Sequence, residues 1–387
     1  MKKDSRKQNR KPKPKPKKVE AVQEGDAEII AATAGAVEIE MLVVGIDLGD
    51  KVSHFAVLGK GKEFLEEGKL PTTEDGFRRQ FGHWKPARIA LEAGTHSRWV
   101  APLLSGMGHE VIVANPRQLK ALTQSTRKND AEDARKLALY ARADVGILQP
   151  VQQRSQEAQR ELLKLQTREA VVRVRAHLTS TVRGLVKGFG NRVRPCSTQG
   201  FVEVARESLP ESLRTILQPV LDVIELATEL IRQADQQVAQ MVKEHPVAWR
   251  LDQVPGVGPV TAMAYVLTLE DPGRFRQSRK VGSYFGLTPW SHQSGESDPQ
   301  RGITKAGNEL VRRLLVQCAH RLLGPKGVDC AIRRWGLHLA GDGKNKKLKK
   351  RAVVAVARKL AVLLHVLWVS GKPFEAFPNG SREAMVA

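Results

Sequence analysis

The sequence predicts two kinds of structure in series: an α/β domain over residues 41–150, then a mostly helical body reaching residue 378. Three observations predict it. Short β-branched or alternating apolar runs (MLVVGIDL, SHFAVLG, KEFLEEGKL) open the folded chain, separated by tight polar or glycine-bearing turns. Helix-like and strand-like segments then alternate to about residue 150. Beyond that point the apolar residues recur mainly at helical spacing.

Residues 1–19 hold ten bases against one acid, and their Lys-Pro alternation predicts an extended, disordered tail. Residues 20–40 hold six acids and no base and read as linker. The three apolar runs that follow predict an antiparallel meander. Next come a helix in TEDGFRRQFGHW, a strand in ARIALE, a helix in SRWVAPLLSGMG, a strand in EVIVAN and a helix over residues 130–143. Three strands followed by alternating helices and strands is the ribonuclease-H-type order. That fold gathers the end of the first strand, the end of the fourth and a late helix at one place. Asp47 ends the first run, Glu92 ends ARIALE, and Asp130 and Asp133 lie three apart in the first turn of the late helix. Residues three apart on a helix are neighbours.

Residues 151–245 predict a helical coiled-coil segment. A basic stretch over 153–188 carries Arg160, Lys164, Arg168, Arg173, Arg175 and Arg183. After it, Leu213, Leu217, Val220, Ile224, Ala227, Ile231, Ala234, Val238 and Met241 alternate spacings of four and three, the pattern of a heptad seam. Pro219 is expected to kink its early part. A hairpin between the two stretches is the favoured arrangement, with dimerisation or packing within the chain both open. Residues 246–378 predict a helical C-terminal domain. Its VPGVGPVTAMAYVLT run is similar to the hairpin of helix-hairpin-helix motifs, with Gly256 and Gly258 placed to offer backbone amides to a phosphate. A purely structural turn gives the same pattern. Residues 301–350 hold 13 bases against three acids, among them Arg301, Lys305, Arg312 and Arg313, with a loop-like lysine run over 344–350. So one-sided a cluster points to a phosphate-facing surface. The apolar run after it reads as a buried helix whose Trp and His are core residues.

Charge and cysteine content narrow the function. The net charge is +22, of which residues 41–150 carry little, so a polyanionic partner is expected for the basic body. Three cysteines without C-x-x-C spacing speak against structural zinc and a disulfide framework. The longest apolar run, residues 360–369, falls short of the ~20 residues of a membrane span, so a cytoplasmic, nucleoid-associated protein is expected. Four carboxylates at ribonuclease-H positions suit Mg2+, which takes hard oxygen ligands and can clamp both oxygens of a phosphoryl transfer. Singly each acid has an ordinary explanation, as a strand-end turn residue, a surface carboxylate or a helix-start charge favoured by the dipole.

GIDLGDKVSHFAVL, LEAGTHSRWV, ANPRQLKALTQSTRKNDAEDARKLA, VPGVGPVTA, YFGLTPWSHQSGES and RGITKAGNELVRRLL stand in one order over residues 41–378. Together the chain resembles the insertion-sequence DEDD transposases, which have an N-terminal RuvC-like domain and a C-terminal serine transposase domain and are also called bridge-RNA-guided recombinases. The tail over residues 1–40 lies outside the resemblance. The resemblance implies that Asp47, Glu92, Asp130 and Asp133 form a metal-binding tetrad and that Ser294 is the nucleophile. The residues alone do not single out Ser294; Ser297 is its rival, and the QSG match favours Ser294. The resemblance further implies donor and target DNA, a noncoding guide RNA and a homo-oligomer, dimer or tetramer. Two other readings follow from the residues: a RuvC-like structure-specific endonuclease in which water attacks, and a non-catalytic nucleic-acid-binding protein.

Overall fold

The computed structural model describes residues 41–60, 63–117, 129–290 and 302–378. They fall into two units, Met1–Gln152 and Gln153–Ala387.

The first unit is one five-stranded mixed sheet with helices on both faces. Its strands are β1 (Val43–Asp47), β2 (Val52–Leu58), β3 (Phe64–Pro71), β4 (Arg88–Glu92) and β5 (Glu110–Ala114), in the order β3-β2-β1-β4-β5. The predicted meander forms: β1 pairs antiparallel with β2, and β2 with β3, while β4 and β5 join β1 in parallel. Side chains alternate across each strand, so the two faces carry different sets. Val44, Ile46, Phe55, Val57, Ile89 and Leu91 pack against α1 (Glu74–Phe81) and α2 (Ser97–Gly106) through Phe77, Phe81, Val100 and Leu104. Val43, Leu58 and Ala90 face the other way, onto Leu137, Ala138 and Ala141 of α3 (Asp130–Ala143). Thr73 and Asn129 cap α1 and α3 by accepting from Gly76 N and Ala131 N, which fixes where each helix starts.

The second unit is helical. Helix α4 (Gln156–Leu185) is followed by α5 (Phe201–Ser208) and α6 (Glu211–Glu244), and α4 and α6 form the expected hairpin. Its direction is antiparallel. Ala158, Leu162 and Leu165 share a core with Val238 and Val242, while Val182 and Val186 share another with Leu217, Leu221, Ile224 and Phe201 of α5. The buried seam of α6 departs from the heptad at its ends, since Leu221 and Val242 are buried where Val220 and Met241 are only half-buried. An untwisted helix turns every 3.6 residues, so a 3.5-residue seam drifts by one position over this length. Pro219 lies inside α6 without ending it.

Between the two cores the seam is polar. Arg168 Nε donates to Asp235 at 2.5 Å, and Arg175 reaches Thr228 Oγ1 at 3.4 Å. Arg183 donates to the carbonyls of Val193 and Arg194 and lies over the Phe201 ring. Much of the basic charge on α4 therefore serves the hairpin itself.

Short helices α7 (Pro246–Asp252) and α9 (Lys280–Tyr284) and the longer α8 (Pro259–Leu269), α10 (Glu309–Leu323), α11 (Ala331–Ala340) and α12 (Lys346–Ser370) complete the unit. Helix α8 is its centre: every residue over 261–269 is buried, and Tyr265 donates its hydroxyl to Ala361 O of α12 at 2.7 Å. Two sequence expectations change at α12. The lysine run expected in a loop is helical from Lys346. Helix α12 is also long and apolar enough to cross a membrane by composition, although the longest uninterrupted apolar run is too short. Half of its apolar window is buried inside its own unit, with Val356, Leu360, Leu364 and His365 in the core. His365 is fixed there by contacts of 3.0 Å to Ser278 Oγ and to Pro272 O.

Candidate active site

The first unit brings all four predicted acids to one end of its sheet. Ile46 is paired with Leu91 across the parallel β1–β4 ladder, so Asp47 and Glu92, one residue further, end adjacent strands. Backbones of adjacent strands lie about 5 Å apart. Asp47 shares its face of β1 with Val43 and Gly45, the face that α3 covers.

Gly45 explains how α3 arrives there. A Cβ at Gly45 would lie 1.9 Å from Ala134 O and 2.5 Å from Ala138 N, so the helix backbone rests directly on the strand. At the far end of α3, Arg142 donates to Lys60 O at 2.9 Å and Leu58 O at 3.3 Å. Residue 58 pairs with Val43 at the start of β1. Helix α3 therefore runs antiparallel to β1, and its first turn, with Asp130 and Asp133, lies over the strand end that carries Asp47.

Three residues not singled out in the sequence join this place. His54 is the cross-strand partner of Asp47, and its Nδ1 stands 4.0 Å from Asp130 Oδ2. His96 Nε2 is 3.5 Å from Asp50 Oδ1, and its Nδ1 accepts from the Trp99 indole N–H at 3.1 Å. The signal for His54 lay in the β1–β2 turn: counting outward from its centre, between residues 50 and 51, pairs 47 with 54.

The donors are all carboxylates, the ligand chemistry of a hard divalent cation. Asp47, Glu92 and Asp133 are half-buried and Asp130 is exposed. Among the described residues, no three acidic, histidine or cysteine side chains stand close enough to hold a metal ion together. Backbone convergence is present and the ligating arrangement is not. Asp130 turns beside His54, and Asp133 toward Lys136 Nζ at 3.9 Å.

In the second unit, Ser294, Ser297 and Arg301 lie outside the described residues. The base of their segment is fixed. Trp290 N donates to Gly302 O and Thr304 N to Thr288 O, both at 2.9 Å, so residues 290 and 302 stand side by side. Below this ribbon two loops interlock: a Cβ at Gly286 would meet Ala306 N at 2.2 Å, and one at Gly307 would meet Tyr284 O at 2.0 Å. Both glycines have positive φ, the conformation glycine adopts freely. Lys305 is exposed there, also at positive φ.

Of the remaining predicted contact residues, Arg312, Arg313 and Gly256 have neighbours within their own unit. Arg312 donates to Ala306 O at 2.7 Å and Phe285 O at 3.2 Å, tying the two loops to α10. Arg313 is ion-paired with Glu169 of α4, a carboxylate that also receives Arg173. Gly256 has φ 85 and approaches Cys318 O of α10, so glycine is required there by the turn and the close packing. Gly258 precedes Pro259 at the start of α8, and a Cβ there would point into open space.

Comparison with known proteins decides what this arrangement belongs to. A family profile described as transposase matches residues 44–190, which contain the whole tetrad, and one described as "Transposase IS116/IS110/IS902 family" matches residues 248–327. The chain belongs to the IS110/IS116 family of DEDD transposases. It is 27% identical to the transposase for insertion sequence element IS1111A of Coxiella burnetii over 340 residues, 85% of this chain and 90% of that one. Sinorhizobium fredii y4pF/y4sB, provisionally named a transposase, is 29% identical over 348 residues, 88% and 87% of the two chains. A pilin gene-inverting protein of Moraxella bovis is 26% identical over 297 residues, 74% and 81%. As a transposase of this family the protein is an enzyme that cuts and rejoins DNA. The two matched stretches lie on either side of α6, one holding the carboxylates and the other the ribbon at 286–304.

Proposed function

We propose that this IS110/IS116 transposase moves its own insertion sequence by magnesium-dependent phosphoryl transfer. Residues 41–150 act as a RuvC-like, ribonuclease-H-type domain in which Asp47, Glu92, Asp130 and Asp133 hold the metal. The observation that carries the reading is the convergence of these four acids, from two strand ends and one helix start, at one end of the sheet. Bound magnesium would supply charge neutralisation at the scissile phosphate. The strand ends supply fixed carboxylates, α3 supplies the pair that closes over them, and Gly45 sets the spacing between the two.

Ser294, in a serine transposase domain over residues 246–378, is the proposed nucleophile. Its hydroxyl oxygen attacks phosphorus, one DNA end stays bonded to Oγ and the other leaves as a free hydroxyl. Rejoining is the reverse attack by a new hydroxyl. The ribbon holding residues 290 and 302 together supports a precisely based nucleophile segment. A noncoding guide RNA would direct the choice of DNA, and the basic second unit supports contact with nucleic-acid backbone rather than base stacking, since aromatics make up only 5% of the chain.

The test is a trapping experiment on DNA carrying the element's end. Wild type should leave a covalent protein–DNA adduct in the presence of Mg2+. Ser294→Ala should leave none, and Asp130→Asn or Asp133→Asn should lose at least about 100-fold in cleavage while still binding DNA. Strand cleavage without any adduct would mean that water attacks, and would reject the serine. Unchanged cleavage in the Asp variants would reject the tetrad. Sequencing the nucleic acid that co-purifies tests the guide: one discrete RNA is expected, and its absence refutes guidance.

A further inference from the structure

We propose that the exposed first turns of α12 form a prong that enters the major groove of duplex DNA and grips the phosphates on both of its walls. Residues 346–351 are all exposed, whereas Ala352 and Val353 are buried, so the helix leaves the body of its unit at residue 352. Six residues at 1.5 Å each make a projection of about 9 Å. The projection consists of Lys346, Lys347, Leu348, Lys349, Lys350 and Arg351. Successive residues point about 100° apart, so the five cations spread over about 200° of the circumference, more than one side of the helix, and leave Leu348 on the remaining arc.

Three further features point to a polyanion. Lys346, Lys347, Lys349 and Lys350 have no carboxylate partner among the described residues, while Arg135, Arg232 and Arg334 are paired with Glu67, Glu229 and Asp329. The first turn of α12 carries no acid, unlike α3, α4, α6 and α10. Cations at the positive end of a helix, and like charges three and four apart, both oppose helix formation. The arrangement works against the helix that bears it, and a polyanion reverses the sign of that effect. The mount is firm: Asn345 Oδ1 accepts from Lys347 N at 2.9 Å and Leu348 N at 3.3 Å, and the rest of α12 is packed against α10 and α11.

Shape selects among polyanions. A narrow row of cations suits a flat phosphate surface, and cations spread over more than half the circumference suit a groove with phosphates on either hand. The major groove of B-form DNA, about 12 Å wide, admits an α-helix. The deep, narrow major groove of A-form RNA does not. Lysine as the main contact gives backbone gripping that tolerates any sequence. The inference uses only DNA as the transposase's substrate and is independent of the metal and serine chemistry.

The experiment compares the full chain with a Lys346→Gln/Lys347→Gln/Lys349→Gln/Lys350→Gln variant on one DNA duplex by fluorescence anisotropy over a salt series. The logarithmic salt slope should fall by roughly 3 to 4. Dimethyl sulfate should show guanine N7 protection in the major groove with wild type and lose part of it with the variant. The free variant should unfold at or above the wild-type temperature, because the repulsion has been relieved. A variant that unfolds earlier would overturn the strain argument, and the Lys346→Gln/Lys350→Gln pair, with an expected slope change of about 2, would then test the contact alone. An unchanged slope, retained N7 protection, or an equal loss on an A-form RNA duplex would overturn the proposal.

Discussion

Replacing Gly45 by alanine tests whether the meeting of β1 and α3 builds the acidic site. The new Cβ would stand 1.9 Å from Ala134 O, against at least 3.4 Å for an ordinary contact, so α3 must retreat by about 1.5 Å. The obstruction is backbone, flanked by the fully buried Ala134 and Ala138, and no side chain can swing aside to relieve it. Overpacking of this kind costs roughly 1–3 kcal/mol, and a backbone contact belongs at the upper end. For a unit of this size, about 3 kcal/mol corresponds to a melting temperature lower by roughly 10 °C. The same retreat moves Asp130 and Asp133 away from Asp47 and Glu92, and a misplacement near 1 Å costs on the order of 100-fold in rate. Thermal unfolding followed by circular dichroism, with metal-dependent strand cleavage measured well below the transition, separates the two effects. Gly45→Ala protein that melts with wild type and cleaves at the wild-type rate would refute the reasoning.

Two further outcomes follow from the second unit. Burial pushes the Tyr265 phenol well above its usual range near 10, so it should stay protonated at a pH where exposed phenols ionise. Its contribution to stability is complete below about pH 10 and is lost as pH rises toward the folded-state value. Absorbance at 295 nm should show one tyrosine fewer titrating in the native state than after denaturation, and native titration of all three would contradict it. Asp235→Ala removes the carboxylate that Arg168 holds, next to Arg175, whose pKa burial and Arg168 together lower. Because Asp235 is partly exposed, the expected loss is only about 1–2 kcal/mol, read as an earlier urea midpoint. A double replacement of Arg168 and Asp235 by leucine should recover most of that loss, and failure to recover would show that the polar layer does more than pair charges.

Much of the first unit was legible in the sequence because its strands are short and alternate cleanly. MLVVGID and ARIALE gave Asp47 and Glu92 their positions at strand ends, and Asp130 and Asp133, three apart, marked the first turn of α3. His54 was not legible in the same way. Its place beside Asp47 depends on a β-hairpin register, which pairs residues across a turn rather than along a stretch. The partners of the arginines were hidden in a related way. A charge count over residues 301–350 pointed to a phosphate-facing surface, and the structure adds that Arg312 reaches backbone carbonyls and Arg313 a carboxylate, as Arg168 and Arg175 of α4 reach a carboxylate and a hydroxyl. A cation's partner is a tertiary fact.

By itself the sequence determined the order of elements, the hairpin of α4 and α6, and which carboxylates end strands or open a helix, because periodicity and capping are local. The tertiary structure alone decided what those elements press against. It set α3 on Gly45 with its acids over the end of β1, it left α6 buried along a seam that slips off the heptad, and it buried half of an apolar helix while leaving six residues outside. Packing distance, register and burial depend on residues far apart in the chain, so no local pattern encodes them.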